Sequence, residues 1–222
     1  MHAVRIARAA ALAATAALIA LAATKPVFAA TGEEAVRPIQ DRWARIKYDE
    51  PEARQADQYG ALAVEARKVV ESNPGQAEPL VWEGIALSSQ AGAKGGLGAL
   101  SLAKEAKARF EQAMRIDEKA LGGSALTSLG TLYAKVPGWP IGFGDKDKAE
   151  ELFRKSLAMN PTGIDANFFY GEYLADQGRT REARGLLKAA LAAPARPGRE
   201  KADAGRRTEI QALLDKLDKS GK

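Results

Sequence analysis

A glycine-rich stretch at residues 135–153, KVPGWPIGFGDKDKAEELF, is where residue types and spacing could first indicate chemistry. Three glycines fall within seven positions, at Gly138, Gly142 and Gly144. A glycine-rich loop before a helix can bind phosphate, because its bare N–H groups point at the anion. The P-loop spacing is not met, since Asp145 follows the last glycine, and an acid there would repel phosphate. The stretch therefore favours a structural or partner-binding loop over a nucleotide site.

The acids of the same stretch raise a second chemistry. Asp145 and Asp147 resemble the start of a calcium loop, but the further oxygen ligands of such a loop are not evident. Asp147 followed three residues later by Glu150 is typical of a helix cap. We therefore predict no metal and no cofactor.

Nucleophilic and metal chemistry is limited by what the chain lacks. The only histidine is His2, in a segment that we expect to be removed, and there is no cysteine. This excludes Ser-His-Asp and Cys-His pairs, histidine-ligated zinc and thiol redox chemistry. Paired acid–base groups are not evident either. We predict a protein that is not an enzyme, with no catalytic residues.

The N-terminus has the three-part pattern of a secretory signal. Arg5 and Arg8 precede an apolar run at residues 9–23, and small residues follow. A retained membrane anchor is the alternative, but about 15 alanine-rich residues fall short of the roughly 20 that span a bilayer. Val27 and Ala29 fit the small-x-small rule for cleavage.

We thus predict a signal peptide at residues 1–29 and a mature domain at 30–222. Without a cysteine there is no lipid anchor, so we expect no stable membrane insertion after cleavage. The predicted location is the periplasm, with secretion as the alternative. Cleavage removes three basic residues and no acid, so the net charge falls from +5 to +2. That balance argues against nucleic-acid binding, which needs a concentrated basic face.

One spacing recurs along the rest of the chain. Small or apolar residues stand at offsets 0, 4 and 7 in four places, which keeps them on one helix face. The sets are Leu62, Ala66 and Val69; Ala106, Phe110 and Ala113; Ala149, Phe153 and Ser156; and Ala183, Leu187 and Ala190. Before three of these sets, a glycine interrupts a second helical pattern, at Gly84, Gly130 and Gly171. Because mid-helix glycine costs about 1 kcal/mol against alanine, it suggests close helix approach. The unit is a repeated helical hairpin.

At these residues the chain resembles the tetratricopeptide repeat (TPR) family, whose helix pair carries W-x2-L-G-x2-Y, then Ala, Phe and Pro. The matching residues are Leu129, Gly130, Tyr133, Ala149, Phe153 and Pro161. The resemblance covers residues 35–195 and implies an all-α solenoid of about four helix pairs. The first pair begins with the pattern at Pro38–Tyr48. Residues 201–219 carry Ile210, Leu213, Leu214 and Leu217 on one side, which predicts a polar-backed capping helix.

Two units are longer than the family spacing. Gly130 and Ala149 lie nineteen positions apart where the family uses twelve, and Gly84 and Ala106 lie twenty-two apart. We therefore predict inter-helix insertions at PGWPIGF and at AGAKGGLG, on one edge of the solenoid. Trp139 and Phe143 of the first insertion would either pack back as a lid or project to bind a partner.

The segment from PGWPIGF to LLKAALAAPARPGREKADAGRRTEI is also similar to exported bacterial repeat proteins grouped with the T-component of TRAP transporters. The long insertions and the helix after APARPG look like the regulator of microtubule dynamics group. The first resemblance implies a periplasmic helical protein that assists the substrate-binding protein of an uptake system.

The leading functional interpretation is a binding or scaffold protein of the cell envelope. In the resembled family the first helix of each pair lines a groove that suits a peptide or a protein helix. The matching positions are Val81, Ile85, Thr127, Thr131, Lys135, Phe168 and Glu172. The alternative is an accessory of a TRAP-type solute transporter, in which Trp139, Phe143 and the groove enclose a small ligand and Lys135 meets its carboxylate. A homo-oligomer is compatible with either.

Overall fold

The computed structural model describes residues 31–220, so the predicted signal peptide lies outside the described residues. The described chain is all-α, as predicted. Its helices are α1 (Gly32–Asp49), α2 (Glu52–Ser72), α3 (Ala77–Lys94), α4 (Gly96–Ile116), α5 (Ser124–Lys135), α6 (Lys146–Met159), α7 (Ile164–Asp176), α8 (Thr180–Leu191) and α9 (Glu200–Ser220), with a 3-10 turn at Ala120–Gly122. None of these helices has the length and apolar character that crossing a membrane requires.

The first eight helices form four antiparallel pairs, in which an inner helix packs on the outer helix that follows it. The predicted glycines mark the closest approach. A Cβ on Gly84 would lie 2.5 Å from Cε1 of Phe110, and one on Gly171 would lie 3.1 Å from Cγ of Leu187. Phe110 and Leu187 are fully buried. Glycine on the inner helix thus makes room for the large residue of the outer one.

The chain end does more than cap the last pair. On one side α9 packs on α7 and α8, where Ile210 is fully buried. On the other side it packs on α1, at the opposite end of the sequence. The inner helices α1, α3, α5 and α7 each contact the next, so with α9 they close into a ring. The predicted solenoid is confirmed, whereas its closure into a ring was not predicted from the sequence.

The seam between α1 and α9 combines polar contacts with close packing. The Tyr48 hydroxyl donates to Oε2 of Glu209 at 3.4 Å, and Lys201 Nζ donates to Oδ1 of Asp49 at 2.9 Å. A Cβ on Gly205 would lie 2.4 Å from the Tyr48 ring. The missing side chain at Gly205 therefore lets α9 lie close against α1.

One predicted insertion is wrong. AGAKGGLG is not a loop, because α3 continues to Lys94 and α4 begins at Gly96. Alanine and lysine are good helix formers and extend α3, and the turn is made by two glycines with positive φ, 61° at Gly95 and 63° at Gly96. The extra residues lengthen both helices. PGWPIGF does form a loop, between the end of α5 and the start of α6.

A carboxylate links the last two repeats. Glu150 Oε1 accepts from Arg179 Nη1 at 2.7 Å, from Arg154 Nη2 at 2.7 Å and from the Tyr170 hydroxyl at 3.1 Å. The hydrogen bond from Arg179 is the main cause that lowers the pKa of Glu150 to about 2. Glu150 on α6 thereby joins α6 to α7 and to the start of α8.

Candidate ligand-binding site

The ring encloses a cavity of about 1350 Å³. Its wall is formed by the inward faces of α1, α3, α5, α7 and α9, by residues of α2 and α4, and by the loop after α5. The lining runs from Ser124 to Lys135, which are the two ends of α5. The cavity therefore extends along the whole length of this inner helix.

The dimensions of the cavity limit what fits inside. A 12-residue helix such as α5 is about 18 Å long. A cavity of about 1350 Å³ along that length has room for a peptide segment or an elongated small molecule.

Six of the predicted groove residues line this cavity: Ile85, Thr127, Thr131, Lys135, Phe168 and Glu172. Val81 does not, because it is fully buried in the core. The cavity face of α3 carries Trp82, Ile85 and Ser89, at helix spacing, and Val81 lies about 100° away from Trp82 around the helix. The predicted register was therefore one residue off at this end of α3.

Lys135 is already engaged within the wall. Its Nζ donates to Oδ2 of Asp176 at 2.8 Å and lies 3.5 Å from Oε2 of Glu172. Burial lowers the pKa of Lys135, but the hydrogen bond to Asp176 and the charge of Glu172 outweigh it, so the pKa is raised. Lys135 is thus an internal ion-pair partner, which argues against the predicted contact with a ligand carboxylate.

Aromatic side chains form much of the wall. They are Trp43, Tyr59, Trp82, Phe168 and Phe169. Trp43 and Trp82 meet edge to face, with ring centroids 6.2 Å apart. The indole N–H of Trp43 donates to Oγ of Ser89 at 2.8 Å. The indole N–H of Trp82 is buried and has no hydrogen-bond partner in the described part of the chain.

The α9 side of the wall is rich in arginine. The guanidinium carbon of Arg206 lies 4.4 Å from the ring centre of Phe168 and 4.5 Å from that of Phe169. Its Nε donates to Oδ1 of Asp165 at 2.9 Å, and its Nη1 donates to Oε2 of Glu209 at 2.6 Å. Arg206 therefore docks α9 against α7 by stacking and ion pairing together.

Asp165 is the shared carboxylate of this cluster. It also accepts from Nη1 of Arg196 at 2.8 Å, and Arg196 pairs in turn with Asp203. Burial would raise the pKa of Asp165, but the charges of Arg206 and Arg196 outweigh it and hold the pKa at about 2. The carboxylate stays ionised and compensates both guanidinium groups.

Arg199 differs from its two neighbours. Its guanidinium carbon lies 4.9 Å from the ring centre of Trp82, but within residues 31–220 it makes no ion pair, and its Nε is buried without a hydrogen-bond partner. Burial, and after it the charge of Arg196, lowers the pKa of Arg199. Arg199 is thus a cavity-lining cation that the wall itself does not neutralise.

Sequence reasoning missed Arg199 and Arg206 as site residues. Arg199 lies just before α9 and Arg206 lies on it, seven positions later, and that spacing aligns the two arginines along one side of the helix. The signal was present, but only ring closure brings that face against Trp82 and Phe168. A repeat pattern that reports neighbouring pairs gives no indication of it.

Backbone amides of the glycine-rich loop donate hydrogen bonds within the loop itself. Gly142 N donates to O of Gly138 at 3.1 Å, and Gly144 N donates to O of Pro137 at 2.9 Å. A Cβ on Gly144 would lie 1.9 Å from O of Val136. The glycines therefore let the loop fold tightly on itself, and these two amides are not available to an anion.

The helix cap next to this loop is also corrected. Asp145, not Asp147, is the N-cap of α6, and its Oδ1 accepts from Lys148 N at 2.9 Å. The predicted partner Glu150 instead makes the ion pairs described above. In the part of the chain that the structure describes, no group of three or more Asp, Glu, His or Cys could hold a metal ion.

The two aromatics of the loop lie in different surroundings, and neither lines the cavity. Trp139 is 91% exposed and projects into solvent. Phe143 is half-buried and meets Tyr133 edge to face, with centroids 5.5 Å apart. The loop instead contributes Ile141 to the cavity lining. Phe143 therefore packs back on the repeat, whereas Trp139 projects away from it.

Comparison with known proteins supports the repeat. The tetratricopeptide repeat family model matches residues 141–198, which is about a quarter of the chain and includes α6, α7 and α8. No curated protein matches the chain. The solved structure of MamA AMB-1 is similar over 82% of this chain and 98% of that chain, with 19% identity and a TM-score of 0.43. A likeness at that level carries no argument about this chain.

Proposed function

We propose that this protein is a non-enzymatic binding protein of the bacterial cell envelope, and that its ring cavity holds an extended segment of a protein partner. The observation that carries the proposal is a cavity of about 1350 Å³ whose lining runs the length of the inner helix α5. Tetratricopeptide repeats typically bind protein partners. The export signal predicted at residues 1–29 supports the location.

The lining suits a peptide in extended form. Aromatic rings supply apolar contact area, and hydroxyl groups stand between them, at Ser88, Ser89, Ser128 and Thr131. Ser89 accepts from Trp43, which leaves its hydroxyl proton to donate to a ligand. An extended backbone carries unpaired N–H and C=O groups that need such partners.

A small elongated ligand is the second candidate, and the closed ring favours it. Small-molecule sites surround most of the ligand, whereas a scaffold groove is open along one side. Here α9 closes the side that a simple solenoid would leave open. In this form the protein would serve as an accessory of a TRAP-type transporter and would hold a solute or dock its binding protein.

Site-specific photo-crosslinking tests the proposal. A benzophenone side chain at Ile85, on the cavity wall, should capture a peptide segment of a partner in intact bacteria. The same group at Val64, which is 58% exposed on the outer helix α2, is the matched control. A small-molecule adduct at Ile85 would favour the second candidate, whereas equal capture at both positions would contradict a ligand-binding ring.

A separate measurement tests the proposed location in the cell envelope. N-terminal sequencing of the protein from envelope fractions should begin at Ala30. Membrane-bound protein that retains residues 1–29 would contradict the predicted cleavage, without bearing on the cavity.

A further inference from the structure

We propose that the ligand of the ring presents a carboxylate to Arg199 and Trp82, where α9 meets α3 across the cavity. This inference rests on the proposed function and specifies the chemistry of its ligand. It depends on two stacked side chains, Arg199 and Trp82, each of which has a buried N–H without a hydrogen-bond partner within residues 31–220.

The first donor belongs to Arg199. On α9, which begins just after Arg199, Arg206 is neutralised by Asp165 and Glu209, and before that helix Arg196 is neutralised by Asp165 and Asp203. Arg199 lies between them in the sequence and has no carboxylate partner within residues 31–220. A buried guanidinium N–H without an acceptor is costly. An anionic ligand would remove that cost.

The second donor is the indole N–H of Trp82. Trp82 is only 5% exposed, and its N–H has no acceptor among the residues that the structure describes. Its neighbour Trp43 shows the ordinary arrangement, with its N–H bonded to Ser89. Because the Arg199 guanidinium stacks on the Trp82 ring, the two side chains form one small region of the wall.

A carboxylate fits better than a phosphate. One guanidinium without a partner compensates one negative charge, and Asp165 is close enough to influence the ionisation of Arg199. That carboxylate would repel a dianion more strongly than a monoanion. The planar guanidinium edge also matches a planar carboxylate. The ligand is therefore an organic monoanion whose body lies along the aromatic wall.

Such a carboxylate has two sources, the C-terminus of a peptide or a free organic acid. Two probe pairs separate them. The first pair is 6-phenylhexanoate and its neutral analogue 6-phenylhexanol. The second pair is an eight-residue apolar peptide with a free C-terminal carboxylate and the same peptide as its amide. Isothermal titration of the whole mature protein measures all four.

We expect at least one acid to bind about tenfold more tightly than its neutral analogue, as a charge-assisted hydrogen bond predicts. Arg199→Gln should abolish that preference, and Arg199→Lys should restore it only in part. Trp82→Phe keeps an aromatic ring, removes the N–H and should weaken the acid alone. Arg181→Gln, an exposed α8 arginine with the same charge change, should keep the preference. Far-ultraviolet circular dichroism confirms that each variant is folded.

The outcomes separate the two proposals. Equal binding of acid and neutral probes, or a preference that survives Arg199→Gln, overturns the carboxylate inference and leaves a ligand-binding ring intact. If none of the four probes binds, the inference is overturned and the proposed function loses its support. A preference for the peptide acid alone identifies a protein terminus, and one for phenylhexanoate alone identifies a small organic acid.

Discussion

Replacing Gly84 with alanine tests the helix approach that defines each repeat. The new Cβ would lie 2.5, 2.8 and 2.9 Å from three ring atoms of Phe110. Real Cβ atoms do not tolerate such distances, so a helix or the ring must move. Phe110 is fully buried, and its ring has no free space into which to turn. Gly84→Ala should therefore force α3 and α4 apart.

Two opposing terms set the magnitude. Overpacking a core costs about 1–3 kcal/mol, and three short contacts place this site in the upper part of that range. Replacing glycine with alanine inside a helix raises the free energy of unfolding by about 1 kcal/mol. The net loss in unfolding free energy should be about 1–2 kcal/mol. Gly185→Ala, inside α8 with nothing within 4 Å of the new Cβ, should gain about 1 kcal/mol.

Urea unfolding monitored by circular dichroism measures both variants side by side. The two free energies should differ by about 2–3 kcal/mol, which for a chain of this size is a separation of about 5–10 °C in melting temperature. If Gly84→Ala is as stable as Gly185→Ala, the α3–α4 approach does not require glycine. In that case Gly130 and Gly171 could not be interpreted as equivalent close-approach positions either.

Other predictions concern the small repeat position, the loop and the α6 carboxylate. Ala149→Leu should cost about 1–3 kcal/mol in urea, because Ala149 is fully buried between paired helices, whereas the neighbouring Lys148→Ala should change stability by less than about 0.5 kcal/mol. Trp139→Ala should leave the melting temperature unchanged, since that side chain is 91% exposed, and should weaken partner pull-down. Phe143→Ala should cost about 1–2 kcal/mol by the same melting assay, through its lost ring contact and burial. Glu150→Gln should cost on the order of 1–2 kcal/mol at pH 7, because the folded pKa of about 2 lies below the ordinary 4.5 and solvent screens part of the ion-pair energy. That cost should vanish as the pH falls from 4.5 toward 2 in urea titrations at each pH.

The predictions for Ala149, Trp139 and Glu150 each have a result that would contradict them. A costlier Lys148→Ala than Ala149→Leu would mean a wrong helix register. A large drop in melting temperature for Trp139→Ala would show a packed side chain. A Glu150→Gln penalty that persists at pH 2 would show that the ionised carboxylate is not its source.

Local packing could be predicted from the sequence because its signal is local. Offsets of 4 and 7 keep Ala106, Phe110 and Ala113 on one helix face, and all three are fully buried. The mid-helix Gly84 indicated the close approach that the ring of Phe110 occupies. Such pairs are separated by few residues, so the periodicity of one hairpin is enough to identify them.

What could not be predicted depends on distant contacts or on small differences in local preference. Nothing in the spacing of α9 indicates that Tyr48, more than 150 positions earlier, is its neighbour. Without that contact Arg199 reads as an ordinary surface arginine. The turn at Gly95 was mistaken for a loop because glycine-rich segments end helices as readily as they interrupt them.

The α1–α9 seam changes how the molecule should respond to damage. In an open array of repeats, each unit contacts only its neighbours and stability is close to a sum over them. Here the first and last helices are also neighbours, so loss of α9 should loosen α1 as well as α8. Exposed ion pairs such as Lys201–Asp49 contribute little and are screened by salt. The seam is therefore the place where we expect the closed chain to open first, and concentrated salt should favour that opening before any repeat unfolds.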